Sequence, residues 1–400
     1  MLFTKPKKAI GVDVGNHSCK AVLMSRSGGR LCVEEAGYAL VDRAVYANDA
    51  TLAQANAVRD ALAGMSASST HLVGALPGQT VVIRYPRLPD TPRDQLSAVI
   101  HREAGQSIPY DLSEVYLDST VLGELQEGET KQLKVLLVAA KHEIVEARAQ
   151  IARMAEIQYG VLTVDSLALA DGAECCGMLR PDETVALVNV GHTSASIHFV
   201  KDGVSNFIRD VSWGARELIQ AIAKDRRCSP EEAEKALQQA GRETPAAPQP
   251  AETPERPAPV SSGSLLAPLD DELEGLGEPL GGAGPEITTL ATENRTRDLR
   301  EVLAPPLGRM VSEIRRSFDY YEHQLYEQPV SRLILSGGVA HIPILGETLM
   351  DELDIESVEV ADPVASGLLL GDDRAVAPLR GRPAQFMVAI GLAARGMADL

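Results

Sequence analysis

Residues Ile10–Met24 read IGVDVGNHSCKAVLM. An apolar run carrying Asp13 stops at Gly15, passes through Asn16 and Ser18, and resumes after Lys20 as a second apolar run. Two strands joined by a turn of small polar residues form a hairpin. A turn of that composition beside a lysine also suits a polyphosphate, because it exposes backbone N–H groups and lets an anion approach closely. The hairpin alone does not choose between a plain turn and a cradle.

The pattern occurs twice. In TVALVNVGHTSASIHFVKDG, Thr184–Gly203, an apolar strand ends at Asn189-Val190-Gly191. A polar turn holds Thr193 and Ser194, and a second apolar strand follows. The two hairpins stand about 175 residues apart, a spacing that marks duplicated lobes rather than a solenoid. A third small-residue turn, LSGGVAHIP, puts Gly337 and Gly338 after an apolar strand.

Between these landmarks the texture is α/β. GRLCVEEAGYALV reads as a third strand, Thr51–Met65 as a helix and THLVGALP as a short buried strand ending at Pro77. From Gly78 the order becomes strand, helix, strand, strand, helix: QTVVIRYPRLP, a helix opened by Thr91 and Pro92, EVYLDSTVLGEL, KQLKVLLVAAK and HEIVEARAQIARMAEI. This reads as an inserted subdomain. The expected division is 1–77 for lobe one, 78–157 for the insert, 158–182 for a return to lobe one and 183–242 for lobe two. An acidic stretch over 243–290 precedes the remainder of lobe two and a closing helix over 291–400. That stretch, Glu243–Leu290, holds nine prolines, no aromatic residue, and nine acidic residues against one arginine. It has too little apolar area to offset the entropy of ordering, so disorder is expected there. LREVLAPPLGRMVSEIRRSFDYYEHQ reads as a helix with a Pro-Pro start or kink.

The 400 residues carry a formal net charge of −18. That balance argues against a non-specific nucleic-acid binder, which needs clustered cations. Five cysteines without regular spacing, including the adjacent Cys175 and Cys176, suit a reducing compartment. No stretch is long and apolar enough for a membrane span, so a cytoplasmic protein is expected.

Asp13-x-Gly15-Asn16-x-Ser18-x-Lys20, then Asn189-x-Gly191-x-Thr193-Ser194, then Gly337-Gly338 resemble, in that order, the first phosphate loop, second phosphate loop and adenosine loop of the actin and sugar-kinase superfamily. More specifically, EAGQSIPYDLSEVYLD, VLLVAAKHEIVEARAQIARMA, VDSLALA, EIRRSFDYYEHQ and LILSGGVAHIPILGETLMDEL resemble the PilM family of type IV pilus assembly proteins, relatives of the division protein FtsA. The resemblance implies an α/β, two-lobed actin-like (ribonuclease H-like) fold with an inserted β-α-β-β-α subdomain. It implies ATP or ADP with Mg as cofactors, and a cytoplasmic protein at the inner-membrane face. The partner it implies is the cytoplasmic N-terminal peptide of a PilN-like bitopic membrane protein, lying between lobe one and the insert; a homo-oligomer stays open.

Carried over by motif, phosphate contacts fall on Gly15, Asn16, Ser18, Lys20, Gly191, Thr193 and Ser194, and the adenosine side on Gly337, Gly338, His341 and Ile342. In WGARELIQAIA and SPEEAEKAL, Gly214, Glu217 and Lys235 match the ribose-side helices, and Asp13 would hold Mg through water. Two departures point to slow hydrolysis at most: Asn189 stands where the family's second loop usually has Asp, and Leu167 stands close to the water-orienting Gln or Glu of hydrolysing relatives. Glu103, Asp111, Glu114 and Asp118 are candidates to flank a basic peptide. The alternatives are a small-molecule phosphotransferase of the same superfamily, for which lobe one lacks a positioned base, and an FtsA-like division scaffold. The latter would need an amphipathic membrane helix, whereas MVAIGLAARGMADL has Arg395 as its only cation.

Overall fold

The computed structural model describes residues 7–65, 71–127, 130–241 and 297–398; the acidic stretch Glu243–Leu290, expected to be disordered, lies outside them. β1 (Lys8–Val14), β2 (Ser18–Ser27) and β3 (Arg30–Leu40) form an antiparallel meander. Alternation does the sorting. Val12, Val14, Cys19 and Ala21 are buried on one face, and Asp13 sits directly opposite Lys20 in the ladder. After α1 (Arg43–Asn48) and α2 (Ala50–Ala61) the chain returns as β4 (His71–Leu76), parallel to β1.

The inserted subdomain follows. β5 (Val81–Arg84), β6 (Arg87–Pro89), α3 (Arg93–Ser107), β7 (Val115–Glu127) and β8 (Thr130–Lys141) build one sheet with β8 at its centre. QTVVIRYPRLP is two strands rather than one. Pro86 has no N–H to give to the ladder and splits the run, though its carbonyl still accepts from the Val135 N–H at 3.0 Å. α4 (His142–Met154), which reads in sequence as part of the insert, packs elsewhere: Ile151 joins the core under α2 and the first sheet. β9 (Val161–Val164) then pairs parallel to β4, and α5 (Asp165–Cys175) covers the other face.

The second lobe repeats this plan. β10 (Thr184–Val190), β11 (Ala195–Lys201) and β12 (Val204–Val211) form a meander. α6 (Ala215–Arg226), α7 (Pro230–Ala240) and α8 (Leu299–Asp319) follow, then β13 (Arg332–Gly337), α9 (Pro343–Leu353) and β14 (Ser357–Val360). The strand orders are β3-β2-β1-β4-β9 and β12-β11-β10-β13-β14, the same sequence of third, second, first, fourth and fifth strand in each lobe. This is the duplicated, actin-like arrangement that the two hairpins announce.

The 291–400 segment, expected to complete lobe two, divides between lobes. β15 (Leu369–Leu370) adds to the outer edge of β3. After α10 (Ala377–Gly381), α11 (Met387–Arg395) lies in the core against α5 and β1, with Met387–Ala393 all buried. Gly391 allows that contact, since a Cβ there would stand 1.7 Å from the Ala168 carbonyl oxygen. A helix buried on every side cannot lie on a membrane. Pro305 and Pro306 fall inside α8, not at its start; the Pro306 carbonyl accepts from Trp213 Nε1 at 3.0 Å.

Candidate functional site

The carboxyl ends of the parallel strands in both lobes face one cavity of about 1440 Å³, bordered by Val14, Ala75, Val190 and Gly337. Open α/β sheets place ligands at that end of their strands. Both hairpin turns are closed alike: the Gly15 N–H donates to the Ser18 carbonyl at 3.2 Å, and the Gly191 N–H to the Ser194 carbonyl at 2.9 Å. Their tips meet across the cavity, where Asn16 Nδ2 donates to Thr193 Oγ1 at 3.0 Å. Gln54 on α2 braces the first turn, donating to the Gly15 carbonyl at 3.1 Å. The N-terminus of α6 braces the second, with the Ala215 and Arg216 N–H groups each 2.9 Å from the Gly191 and His192 carbonyls.

Charge is paired with care around these turns. Lys20 Nζ lies 3.1 Å from Asp13 Oδ2. Burial alone would lower the lysine's pKa, but Asp13 outweighs it and the ammonium is held above its ordinary value. Asp165, at the start of α5, accepts from the N–H groups of Gly78 at 2.9 Å and Ser166 at 2.7 Å. Burial nevertheless pushes its carboxyl up to about 7, with nearby Asp210 adding to the effect. Asp210, itself pushed up to about 6 by burial, lies against Gly78. Asn189 stands in β10 rather than in the turn, and its Oδ1 accepts from Ser336 Oγ at 3.2 Å. Gly337 follows with φ +99°, and a Cβ on it would meet the Val190 carbonyl oxygen at 2.2 Å; only glycine fits. At the mouth, His17 Nε2 contacts Glu234 Oε1 at 2.7 Å, and Arg43 contacts Glu231 at 3.0 Å and also Glu234.

A profile of the family described as type IV pilus assembly protein PilM matches residues 11–245 and 292–397. The chain belongs to that family. A solved PilM-PilN type IV pilus biogenesis complex is similar, with 21% identity, a TM-score of 0.72, and coverage of 98% of this chain and 99% of that one. The ethanolamine utilization protein EutJ from Carboxydothermus hydrogenoformans is similar at 14% identity and a TM-score of 0.50, over 98% of this chain and 90% of that one. At these identities the likeness is one of fold.

For a member of the PilM family, the sequence motifs converge well. Asp13, Gly15, Asn16, Ser18, Lys20, Gly191, Thr193, Ser194, Lys235, Gly337, Gly338 and His341 all border the cavity. Three residues named with them do not. Gly214 sits behind the second turn against His192, Glu217 pairs with Arg309 at 3.3 Å, and Ile342 is core. Leu167 is also off the cavity, packed with Leu136, Val164 and Ile208; the residue of that segment that reaches the cavity is Asp165. Two positions along a helix turn the side chain by about 200°, which separates them. Asp165 went unread in the sequence, although an acidic residue that follows a parallel strand and opens a helix is a signal that could have found it. Asp210 and Arg148, which also border the cavity, had no comparable signal. Among the described residues no three His, Cys, Asp or Glu side chains form a metal-binding group. A Mg²⁺ here fits only as the hydrated, phosphate-bound ion that needs few carboxylates.

Proposed function

We propose that this chain is a nucleotide-binding scaffold of a type IV pilus inner-membrane assembly platform. In this reading it holds Mg-ATP or Mg-ADP between its lobes and docks the cytoplasmic N-terminal peptide of a PilN-like bitopic membrane protein. The observation that carries the nucleotide half is the pair of identically closed hairpin turns meeting tip to tip over one cavity. Their N–H groups and Lys20 suit phosphate oxygens. Gly337 and Gly338 leave room for a flat base, and Asp13 would face the hydrated metal, which supplies charge neutralisation when bound. Asn189 offers no carboxylate to a second metal contact, and its amide oxygen is engaged by Ser336, so any hydrolysis is slow. Calorimetry with Mg-ATP tests this. Lys20→Ala removes a charge-assisted contact and should weaken ATP roughly 10- to 100-fold. A wild type that binds no nucleotide would sink the reading.

The partner half draws on the family and on the similar PilM-PilN complex. Among the described residues no helix is long and apolar enough to cross a membrane, so attachment at the inner-membrane face would come through the partner. On the insert and the start of α4, Lys141 Nζ lies 4.4 Å from the Tyr110 ring centroid, and Tyr116, largely exposed, packs on His142 at 4.4 Å. Asp111, Glu114 and Asp118 are exposed and Glu103 half-buried. An extended peptide with basic residues would find aromatic anchors and carboxylates there. The check is a titration with a peptide of the bitopic protein's first twenty or so residues, at low salt, with nucleotide present.

A further inference from the structure

We propose that Arg148 receives the terminal phosphate of a bound nucleoside triphosphate and sets how strongly the cleft prefers a triphosphate to a diphosphate. The proposal rests on the nucleotide reading above and deepens it. Arg148 lies in the second turn of α4 and is 6% exposed. Among the described residues it donates one hydrogen bond, from Nη1 to the Val14 carbonyl at 3.3 Å, and has no ion pair. The rest of its guanidinium has no acceptor among the described residues, and it borders the cavity.

A guanidinium stays charged at every accessible pH, and a buried charge without a partner is costly. Its neighbours on that face of α4, Ile144, Ala147 and Ile151, are apolar, so a methionine would pack there with no such cost. Folding does not explain the cation; an anion delivered to the cavity does. The position fits the far end of a phosphate chain. Val14 ends β1 and precedes the Gly15 turn, so Arg148 reaches the base of that turn from the α4 side. The other cations near this turn are already matched, Lys20 by Asp13 and Arg43 by Glu231 and Glu234. Asp13, Asp165 and Asp210 would repel an added phosphate. Lys235 and Arg382, which also border the cavity, are exposed and solvated. Arg148 is the buried cation among them without a carboxylate beside it, and its planar fork fits two phosphate oxygens at once.

The experiment compares wild type, Arg148→Met and Arg148→Lys by calorimetry with Mg-ATP and Mg-ADP, together with melting of each protein without nucleotide. In Arg148→Met, ATP affinity should fall roughly 10- to 100-fold and ADP affinity less than about threefold. Without nucleotide, this variant should melt at or above the wild-type temperature, because an unmatched buried charge has gone. Arg148→Lys should fall between, keeping the charge but losing the fork. A variant that keeps the wild-type ratio of ATP to ADP affinity overturns the assignment alone. So does a variant that melts lower and loses both nucleotides equally, which would make Arg148 a strut for β1. A wild type that binds neither nucleotide overturns the nucleotide reading and this assignment with it.

Discussion

Asp165 carries the clearest pH signature among single residues. It keeps some surface toward the cavity, yet desolvation by burial, followed by the charge of Asp210, pushes its carboxyl up to about 7 against the donors from Gly78 and Ser166. The folded protein therefore holds this proton longer than the unfolded chain does. Its contribution to stability is full below about pH 4 and is lost as pH rises through about 7. Wild type should lose about 2–4 kcal/mol relative to Asp165→Asn across that window, with the difference level above it. Calorimetric melting of both proteins at stepped pH reads this directly, and a constant difference would mean that Asp165 is ionised throughout. His198 slopes the other way. Burial pushes its imidazole down to about 4, so it withdraws stability as pH falls below about 6.5, which is why the variant comparison is needed. At this scale Asp13 and Lys20 were legible, because a two-residue period puts hairpin neighbours in register. Asp210 was not, since nothing local distinguishes a strand carboxylate at a cleft from one in solvent.

Among the elements, α7 joins the lobes at the cleft mouth. Its start was readable: Ser229 and Glu232 form a capping box with Pro230 at the first position. Its destination was not. Glu231 and Glu234 on its first turns reach Arg43 and His17 of the first lobe. The His17 hydrogen bond, with help from Arg43, holds the Glu234 carboxyl below its ordinary value. Pairs this exposed contribute about 0.2–1 kcal/mol each, enough to hold the mouth shut for longer without locking it. Arg43→Ala should therefore speed release of a fluorescent nucleotide about 2- to 5-fold at low salt, and the difference should vanish near 1 M salt, where charges are screened within about 3 Å. Stopped-flow release rates that are equal at low salt would show that the clasp does not gate the exit. α4 carries the same lesson as α7. Its helical period was plain, but only packing moved it out of the insert and under the first sheet.

At the scale of the whole molecule, one half-buried relay ties three bodies together. The Tyr85 hydroxyl of the insert meets Ser205 Oγ of the second lobe at 2.7 Å. Ser205 meets His198 Nε2 at 2.8 Å, and His198 Nδ1 meets the Ser166 carbonyl of the first lobe at 2.9 Å. Around it Leu136, Val164, Leu167 and Ile208 form a small apolar cluster contributed by the same three bodies. Ser205→Ala strands two buried polar groups, so it should lower stability by about 1–3 kcal/mol. It should also raise hydrogen exchange across β5 and β8, since the insert loses its polar tie to lobe two. Exchange confined to the neighbourhood of position 205 would show that the apolar cluster alone holds the insert in place.

Most of the strands and helices, the duplication into two lobes and the two phosphate-loop candidates were determined by the chain itself. Hairpins, caps and apolar periods are local, and each is written within about 15 residues of its own position. Tertiary structure alone decided that Asn16 touches Thr193, that β15 and α11 return to the first lobe, and that Asp165, Asp210 and Arg148 share one cavity with Lys20. Those facts depend on contacts between residues tens to hundreds of positions apart. The free energy that selects them comes from burial and charge pairing in the assembled cleft, which no local window of sequence contains.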